Sequence, residues 1–279
     1  MGEETLLIVG NGFDLSMGFK TSYGDFMKSS FFPKYDSTLC SHLRKQFQEN
    51  MGWIDIEKEL SEFSSMLISM KQDAKKKHIK WEYDSFREEY EELKSSKAYL
   101  QEETKRAFGP SPDNPAKRVI DQLPAESKII SFNYTSIIER MTRDRFCASK
   151  GNLLHIHGSL APNDDIVFGV EDSAKLPKEH VFLYKAHSPH LKVQEFSDWL
   201  NSAERIIFYG YSLGDTDHQY FEKFFRKLCS DDRTYTELVF YYYDQSSYDN
   251  LIWQLQMLTN HKLTQLQILN KIEFINCSM

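Results

Sequence analysis

Short apolar runs alternate along most of the chain with polar stretches in which apolar residues recur every three or four positions. Continuous apolar runs are typical of strands buried in a parallel sheet, and the three-to-four spacing is typical of helices packed on it. The runs predict strands at residues 5–9, 128–132, 153–157, 165–170, 205–209, 237–243 and 271–275. The periodic stretches predict helices at residues 25–30, 136–144, 196–201, 218–228 and 248–258.

Strand and helix in alternation favour a mostly parallel sheet with helices on both faces. The fold class predicted is therefore α/β and Rossmann-like.

The pattern changes between residues 36 and 123, where Glu, Lys, Gln and Met dominate and strand-like runs are missing. Apolar residues four and three apart mark one face of a helix in this stretch, namely Ile56, Leu60, Phe63, Leu67 and Met70. A breaker cluster from Gly109 to Pro112 follows. We expect a core formed by residues 1–35 and 124–279, with residues 36–123 inserted as an α-helical lobe.

Charge and cysteine content narrow the class of protein. The net charge is −7, and the basic run Lys75 to Lys77 is interpreted as a solvated helix end, so no nucleic-acid partner is expected. The four cysteines, Cys40, Cys147, Cys229 and Cys277, lack metal-ligand spacing, so neither a zinc framework nor a disulfide scaffold is expected, and the predicted cofactors include no metal. The apolar run near the N-terminus is too short for a signal peptide or a membrane span. These features predict a cytoplasmic protein without a membrane partner.

A glycine-containing turn follows the first predicted strand and reads Gly10, Asn11, Gly12, Phe13 and Asp14. Glycines at the carboxyl end of such a strand let the backbone approach a phosphate. The third glycine of the dinucleotide fingerprint is missing here. The turn therefore predicts either a nucleotide site or simply a tight strand-to-helix connection.

Three further motifs also follow predicted strands. Asn133 follows the second of these strands, where its amide could hold a ribose hydroxyl or a water. The alternative is that Asn133 caps the next helix. His155 and His157 are two apart, which indicates either a metal pair or one general base with a structural partner.

The last of these motifs runs from Phe208 to Asp217 and repeats the strand, glycine turn and helix plan at Gly210. Ser212, Leu213 and Asp215 form its turn, where a hydroxyl and a carboxylate can hold ribose. Asp215 is equally suited to cap the next helix.

Taken together and in this order, the motifs resemble the bacteriophage abortive-infection AbiH family over nearly the whole chain. They comprise Gly10 to Leu15, Thr21-Ser22-Tyr23, Trp53 to Glu57, Phe132 to Thr135, His157 to Ser159, Tyr184-Lys185 and Gly210 to Asp217. The resemblance implies phage defence and a sirtuin-like NAD-binding core. In sirtuin-like hydrolases, an asparagine and a histidine at the positions of Asn133 and His157 form the catalytic pair.

The resemblance also implies ligands and roles. NAD, or a related small-molecule nucleotide, is the expected substrate or ligand, and a homo-oligomer is an open possibility. The glycine turns and Thr21, Ser22 and Tyr23 are the expected binding residues, and Asp14 is expected to place negative charge near the ribose. Sirtuins carry Gly-Ala-Gly and a four-cysteine zinc module, and both are missing here. Protein deacylation is therefore not expected. The remaining alternatives are NAD hydrolysis, a non-catalytic nucleotide sensor and an interaction protein of a defence system.

Overall fold

The computed structural model describes residues 4–34, 37–106, 109–146, 151–230 and 235–278, without the side chains of residues 144–146. Its strands are β1 (Thr5–Val9), β2 (Lys128–Ser131), β3 (Leu153–His155), β4 (Arg205–Tyr209), β5 (Glu237–Tyr242) and β6 (Lys271–Asn276). Its first helices are α1 (Asn11–Ser16), α2 (Tyr23–Lys28), α3 (Thr38–Glu49), α4 (Ile56–Lys76), α5 (Phe86–Leu93) and α6 (Ser96–Thr104). The others are α7 (Pro115–Gln122), α8 (Ile137–Phe146), α9 (Gln194–Ser202), α10 (His218–Leu228), α11 (Gln245–Leu258) and α12 (Leu263–Leu269).

The six strands form one sheet in the order β3-β2-β1-β4-β5-β6, and all neighbouring pairs are parallel. This is the strand order of dinucleotide-binding Rossmann sheets, with the switch point between β1 and β4. The prediction of an α/β, Rossmann-like fold is confirmed.

Side chains of successive strand residues point to opposite faces of the sheet, and helices cover both faces. Leu7 and Val9 of β1 belong to a buried cluster with Phe13 of α1 and with residues of α7 and α8. On the opposite face, Phe208 of β4 contacts Phe221 of α10 at a ring-centroid distance of 6.0 Å. Burial on both faces explains why the strands read as continuous apolar runs.

The chain divides into two compact units. The first contains residues 1–19, 107–159 and 192–279 and carries the sheet; the second contains residues 20–106 and 160–191. Helix α7 packs in the sheet-bearing unit, whereas the sequence places it in the insertion. The predicted boundary at residues 35 and 36 lies outside the described residues, as does Cys147, and the predicted division stays a prediction.

Two predicted strands differ from the structure. Residues 165–170 form no strand and make only an isolated bridge between Val170 and Tyr184. The third strand ends at His155, and His157 lies in a turn. Among the described residues, no helix is long and apolar enough to cross a membrane.

Candidate functional site

The carboxyl ends of four adjacent strands are aligned in register. Val9 of β1 pairs with Ser131 of β2 and with Tyr209 of β4, and Ser131 pairs with His155 of β3. Residues that follow these four positions therefore leave the sheet at the same edge. That edge is where open α/β sheets bind ligands.

The turns after β1 and β4 touch each other through their glycines. The Gly12 N–H donates to the Gly210 carbonyl oxygen at 2.9 Å. A Cβ on Gly12 would lie 2.6 Å from the Gly210 Cα, and one on Gly210 would lie 2.2 Å from the Phe13 nitrogen. Gly210 also has a φ of +60°, which side-chain-bearing residues rarely adopt. These two glycines are required because the turns pack backbone against backbone.

The N–H groups of the first turn are largely used inside the protein. Gly10 donates to the Tyr209 carbonyl at 3.2 Å, and Phe13 donates to the Gly10 carbonyl at 2.9 Å. The Phe13 ring is buried against Tyr209, while Asn11 is exposed. A phosphate would therefore meet the outer surface of this turn rather than the N–H groups of Gly10, Gly12 and Phe13.

Asn133 is fixed by its amide nitrogen. Nδ2 donates to the Gly10 carbonyl oxygen and to Asp14 Oδ1, both at 2.9 Å. Because both partners are acceptors, the amide orientation is determined by chemistry. The Asn133 backbone N–H is held by Ser131 Oγ at 3.2 Å. The oxygen Oδ1 is the part of this side chain left to accept a hydrogen bond from a ligand.

Asp14 lies behind Asn133 and is only 1% exposed. Its second oxygen, Oδ2, accepts a hydrogen bond from the Thr135 hydroxyl at 2.6 Å. Burial raises the pKa of Asp14 to about 7, although the hydrogen bonds from Thr135 and Asn133 oppose the shift. The carboxyl group thus titrates near neutrality inside the protein and is one hydrogen bond away from any ligand on Asn133.

The two histidines have different surroundings. His155 is buried and makes hydrogen bonds through both ring nitrogens, to the Asn133 carbonyl oxygen and to Glu139 Oε1, each at 2.8 Å. Neither nitrogen is left for a metal, which removes the second ligand that a metal pair with His157 needs. The interpretation of His155 as a structural partner fits this arrangement.

His157 is surrounded by aromatic rings and a carboxylate. Its ring lies edge-on to Phe132, with centroids 5.4 Å apart, and its Nε2 is 3.5 Å from the Tyr220 hydroxyl. Asp217 Oδ1 is 3.9 Å from the same nitrogen, and Asp217 Oδ2 accepts from the Tyr211 hydroxyl at 2.8 Å. A carboxylate at this distance would stabilise a positive charge on the ring.

The turn after β4 places its predicted binding residues in contrasting positions. Ser212 and Asp215 are exposed, and Asp215 lies 3.7 Å from His218 Nε2 rather than capping the helix. Leu213 is fully buried, with a left-handed φ of +53°. A buried non-glycine residue in that conformation stores strain, which is commonly found at functional turns.

Thr21, Ser22 and Tyr23 belong to the second unit. The Ser22 hydroxyl accepts from the Asp25 N–H at 3.0 Å and caps α2 in a capping box. Tyr23 lies edge-on to Phe168 of the same unit. The structure gives Ser22 a structural use that its sequence position did not reveal.

Several residues of this site were not singled out from sequence, namely Thr135, Glu139, Asp217 and Tyr220. Thr135 and Glu139 follow Asn133 at spacings of two and six, and Asp217 and Tyr220 begin α10. The available signal was a run of polar residues just after a strand. That signal is weak, because helix caps give the same pattern.

The comparisons with known proteins identify a family. The family model described as "Bacteriophage abortive infection AbiH" matches residues 6–242, so the chain belongs to that family. No curated protein matches the chain. The family match spans β1 to β5 and thus includes every residue of the site described above.

Proposed function

We propose that this AbiH-family protein binds NAD at the switch point of its sheet and hydrolyses the nicotinamide–ribose bond during abortive infection. The observation that carries the proposal is the strand order, which reverses its direction between β1 and β4. Rossmann sheets with this order bind dinucleotides in the crevice at the carboxyl ends of the two strands where the order reverses. Here the two glycine turns meet at that point, and Asn133 and His157 follow the next two strands.

Asn133 supplies the polar group best suited to orient the reacting centre. Its nitrogen donates to Gly10 and Asp14, so the atom it offers to a ligand is Oδ1, which accepts hydrogen bonds. An acceptor fixed in this way suits a ribose hydroxyl or the attacking water. The Asp14 carboxyl contributes its charge through Asn133 rather than by direct contact with the ribose.

His157 supplies the base. It takes a proton from a water whose oxygen bonds to C1′ of the ribose. As that bond forms, the bond from C1′ to the nicotinamide nitrogen breaks and its electron pair stays with nicotinamide. The products are nicotinamide and ADP-ribose, and the proton is left on His157. The Asp217 carboxylate, 3.9 Å away, stabilises the resulting imidazolium.

A nucleotide sensor without turnover is the second candidate, and one observation favours it. The N–H groups of Gly10, Gly12 and Phe13 and both oxygens of Asp14 already have partners within the protein. Such a network suits a rigid binding platform as well as a catalytic site. Turnover separates the two candidates.

The test is incubation of the purified chain with NAD, followed by separation of nicotinamide and ADP-ribose. We expect release by the parent chain and about 10²- to 10⁴-fold less by His157→Ala, as for loss of a general base. His190→Ala is the control, because this histidine pairs with Asp164 in the second unit. Intact NAD bound by the parent would establish the sensor, and the absence of binding would overturn both candidates.

Asn133→Ala needs its own stability control. Removing the amide leaves the Gly10 carbonyl and Asp14 without their donor. A buried polar group deprived of its partner costs about 1–3 kcal/mol. Its loss of nicotinamide release therefore counts only at a temperature at which unfolding curves show the variant to be folded.

A further inference from the structure

His155 is held at both ends of its imidazole ring by oxygen atoms. Nδ1 lies 2.8 Å from the backbone carbonyl oxygen of Asn133, and Nε2 lies 2.8 Å from Glu139 Oε1. The side chain is 8% exposed. Asn133 and His157 have roles in the proposed hydrolysis, whereas the neighbouring His155 and Glu139 do not.

The chemistry of the two oxygens limits the protonation of the ring. A backbone carbonyl only accepts, so Nδ1 must carry a hydrogen. Glu139 lies in the first turn of α8, and its Oε1 is the partner of Nε2. A carboxylate oxygen also only accepts, so Nε2 carries the second hydrogen and the ring is an imidazolium.

The electrostatics of the site agree with this geometry. Burial alone lowers the pKa of His155, but the hydrogen bond and negative charge of Glu139 outweigh it and raise the pKa. The other Glu139 oxygen, Oε2, is buried and has no hydrogen-bond partner among the described residues. The hydrogen bond that the structure gives the Glu139 carboxylate is therefore the one to His155, at Oε1.

We propose that the buried imidazolium of His155 and the partly exposed carboxylate of Glu139 form an ion pair that positions Asn133. The pair clamps the Asn133 carbonyl, while Ser131 Oγ holds the Asn133 N–H at 3.2 Å. The backbone of Asn133 is therefore fixed on both sides, and the direction of its Oδ1 is set before any ligand arrives. His155 is a positioning residue, since it acts through Asn133 and not on a ligand.

The first test measures the charge of His155 directly. In ¹⁵N-labelled protein at pH 7, we expect both His155 nitrogens to be protonated, with the resonances assigned by their loss in His155→Phe. In Glu139→Gln, the amide can donate to Nε2, so the ring stays in place but carries hydrogen only on Nδ1. A His155 ring with a single hydrogen in the parent chain at pH 7 would overturn the charged pair.

The second test measures whether the pair positions Asn133. The side-chain amide hydrogens of Asn133 point at Gly10 and Asp14 and should exchange slowly with solvent. We expect these hydrogens to exchange at least about ten-fold faster in His155→Phe than in the parent chain, as for loss of a charged hydrogen bond. Glu139→Gln should exchange at a rate between those of the parent and His155→Phe.

His190→Gln is the matched control, because it breaks a histidine–carboxylate contact of 2.9 Å in the second unit. It should leave exchange at Asn133 unchanged. Exchange that is equally slow in His155→Phe and in the parent would overturn the positioning role. If His155→Phe does not fold, Glu139→Gln still decides: an Asn133 exchange rate identical to that of the parent contradicts the proposal.

A kinetic test rests on the proposed NAD hydrolysis. There, Glu139→Gln should lower kcat and leave KM within about two-fold, because a positioning defect acts on the transition state. Unchanged kcat would count against the positioning role. If the parent chain does not cleave NAD, the hydrolysis proposal fails, and the nuclear magnetic resonance tests still decide the role of His155.

Discussion

Replacing Asp14 with Asn should remove a pH dependence from the stability of the protein. Asp14 is 1% exposed, and burial raises its pKa to about 7 from the ordinary value of 3.8. Asn is neutral at every pH. Its oxygen can accept from Asn133, and its nitrogen can donate to the Thr135 hydroxyl, so the hydrogen-bond network survives the change.

The direction of this pH dependence follows from the number of protons that the folded and unfolded chains bind. Between the two pKa values, the folded chain holds a proton on Asp14 that the unfolded chain has released, so stability falls as pH rises. The stabilising effect of protonation is complete below pH 3.8 and is lost as pH passes through about 7. Between pH 5 and pH 7, the contribution of Asp14 to the free energy of unfolding falls by about 2 kcal/mol.

Urea unfolding of parent and variant at pH 5, 6, 7 and 8 measures the effect. The difference in unfolding free energy between Asp14→Asn and the parent should shift in favour of the variant by about 2 kcal/mol from pH 5 to pH 7. Asp244→Asn is the control, because Asp244 is an exposed N-cap whose pKa is lowered by hydrogen bonds to Ser247. Its effect has the opposite sign and appears at acidic pH. Parallel pH curves for the parent and Asp14→Asn would refute the reasoning.

Three substitutions test other contacts. Gly210→Ala should abolish soluble folded protein, because its Cβ would lie 2.2 Å from the Phe13 nitrogen; a normal melting curve would contradict this. Ser22→Ala should cost about 1 kcal/mol in urea unfolding, as for loss of a helix cap; an unchanged free energy of unfolding would contradict this. Lys185→Met should cost about 3–5 kcal/mol in urea unfolding, because it removes the cation from buried ion pairs with Glu57 and Glu171; a smaller loss with Lys185→Ala would contradict that cause.

The fold was predictable because its signals are local. A strand buried on both faces reads as an apolar run, and the run at residues 205–209 coincides with β4. The helix at residues 218–228 likewise coincides with α10. The strand predicted at residues 165–170 was wrong, because a short apolar run is also compatible with irregular buried chain.

The roles within the site were harder to predict because they depend on distant contacts. Asp14 looked like a residue that faces a ligand, yet its carboxyl is enclosed by Asn133 and Thr135 from another strand end. His155 and His157 are two apart and would lie on the same face of a strand. However, β3 ends at His155, so the two side chains contact different neighbours. Ser22 was expected to bind a ligand, and its hydroxyl caps a helix of the second unit; ligand binding by Ser22 stays a prediction.

Strand register explains why these residues converge although no local pattern announces it. Because Val9 is level with Ser131 and Tyr209, Gly10 meets Asn133 on one side and Gly210 on the other. A shift of one residue in any pair would turn the neighbouring side chains to the other face of the sheet. The glycines resist such a shift, since their turns fit together only where both lack a Cβ. The glycine contact therefore fixes the register of β1 against β4, and the AbiH site depends on backbone packing as much as on its polar residues.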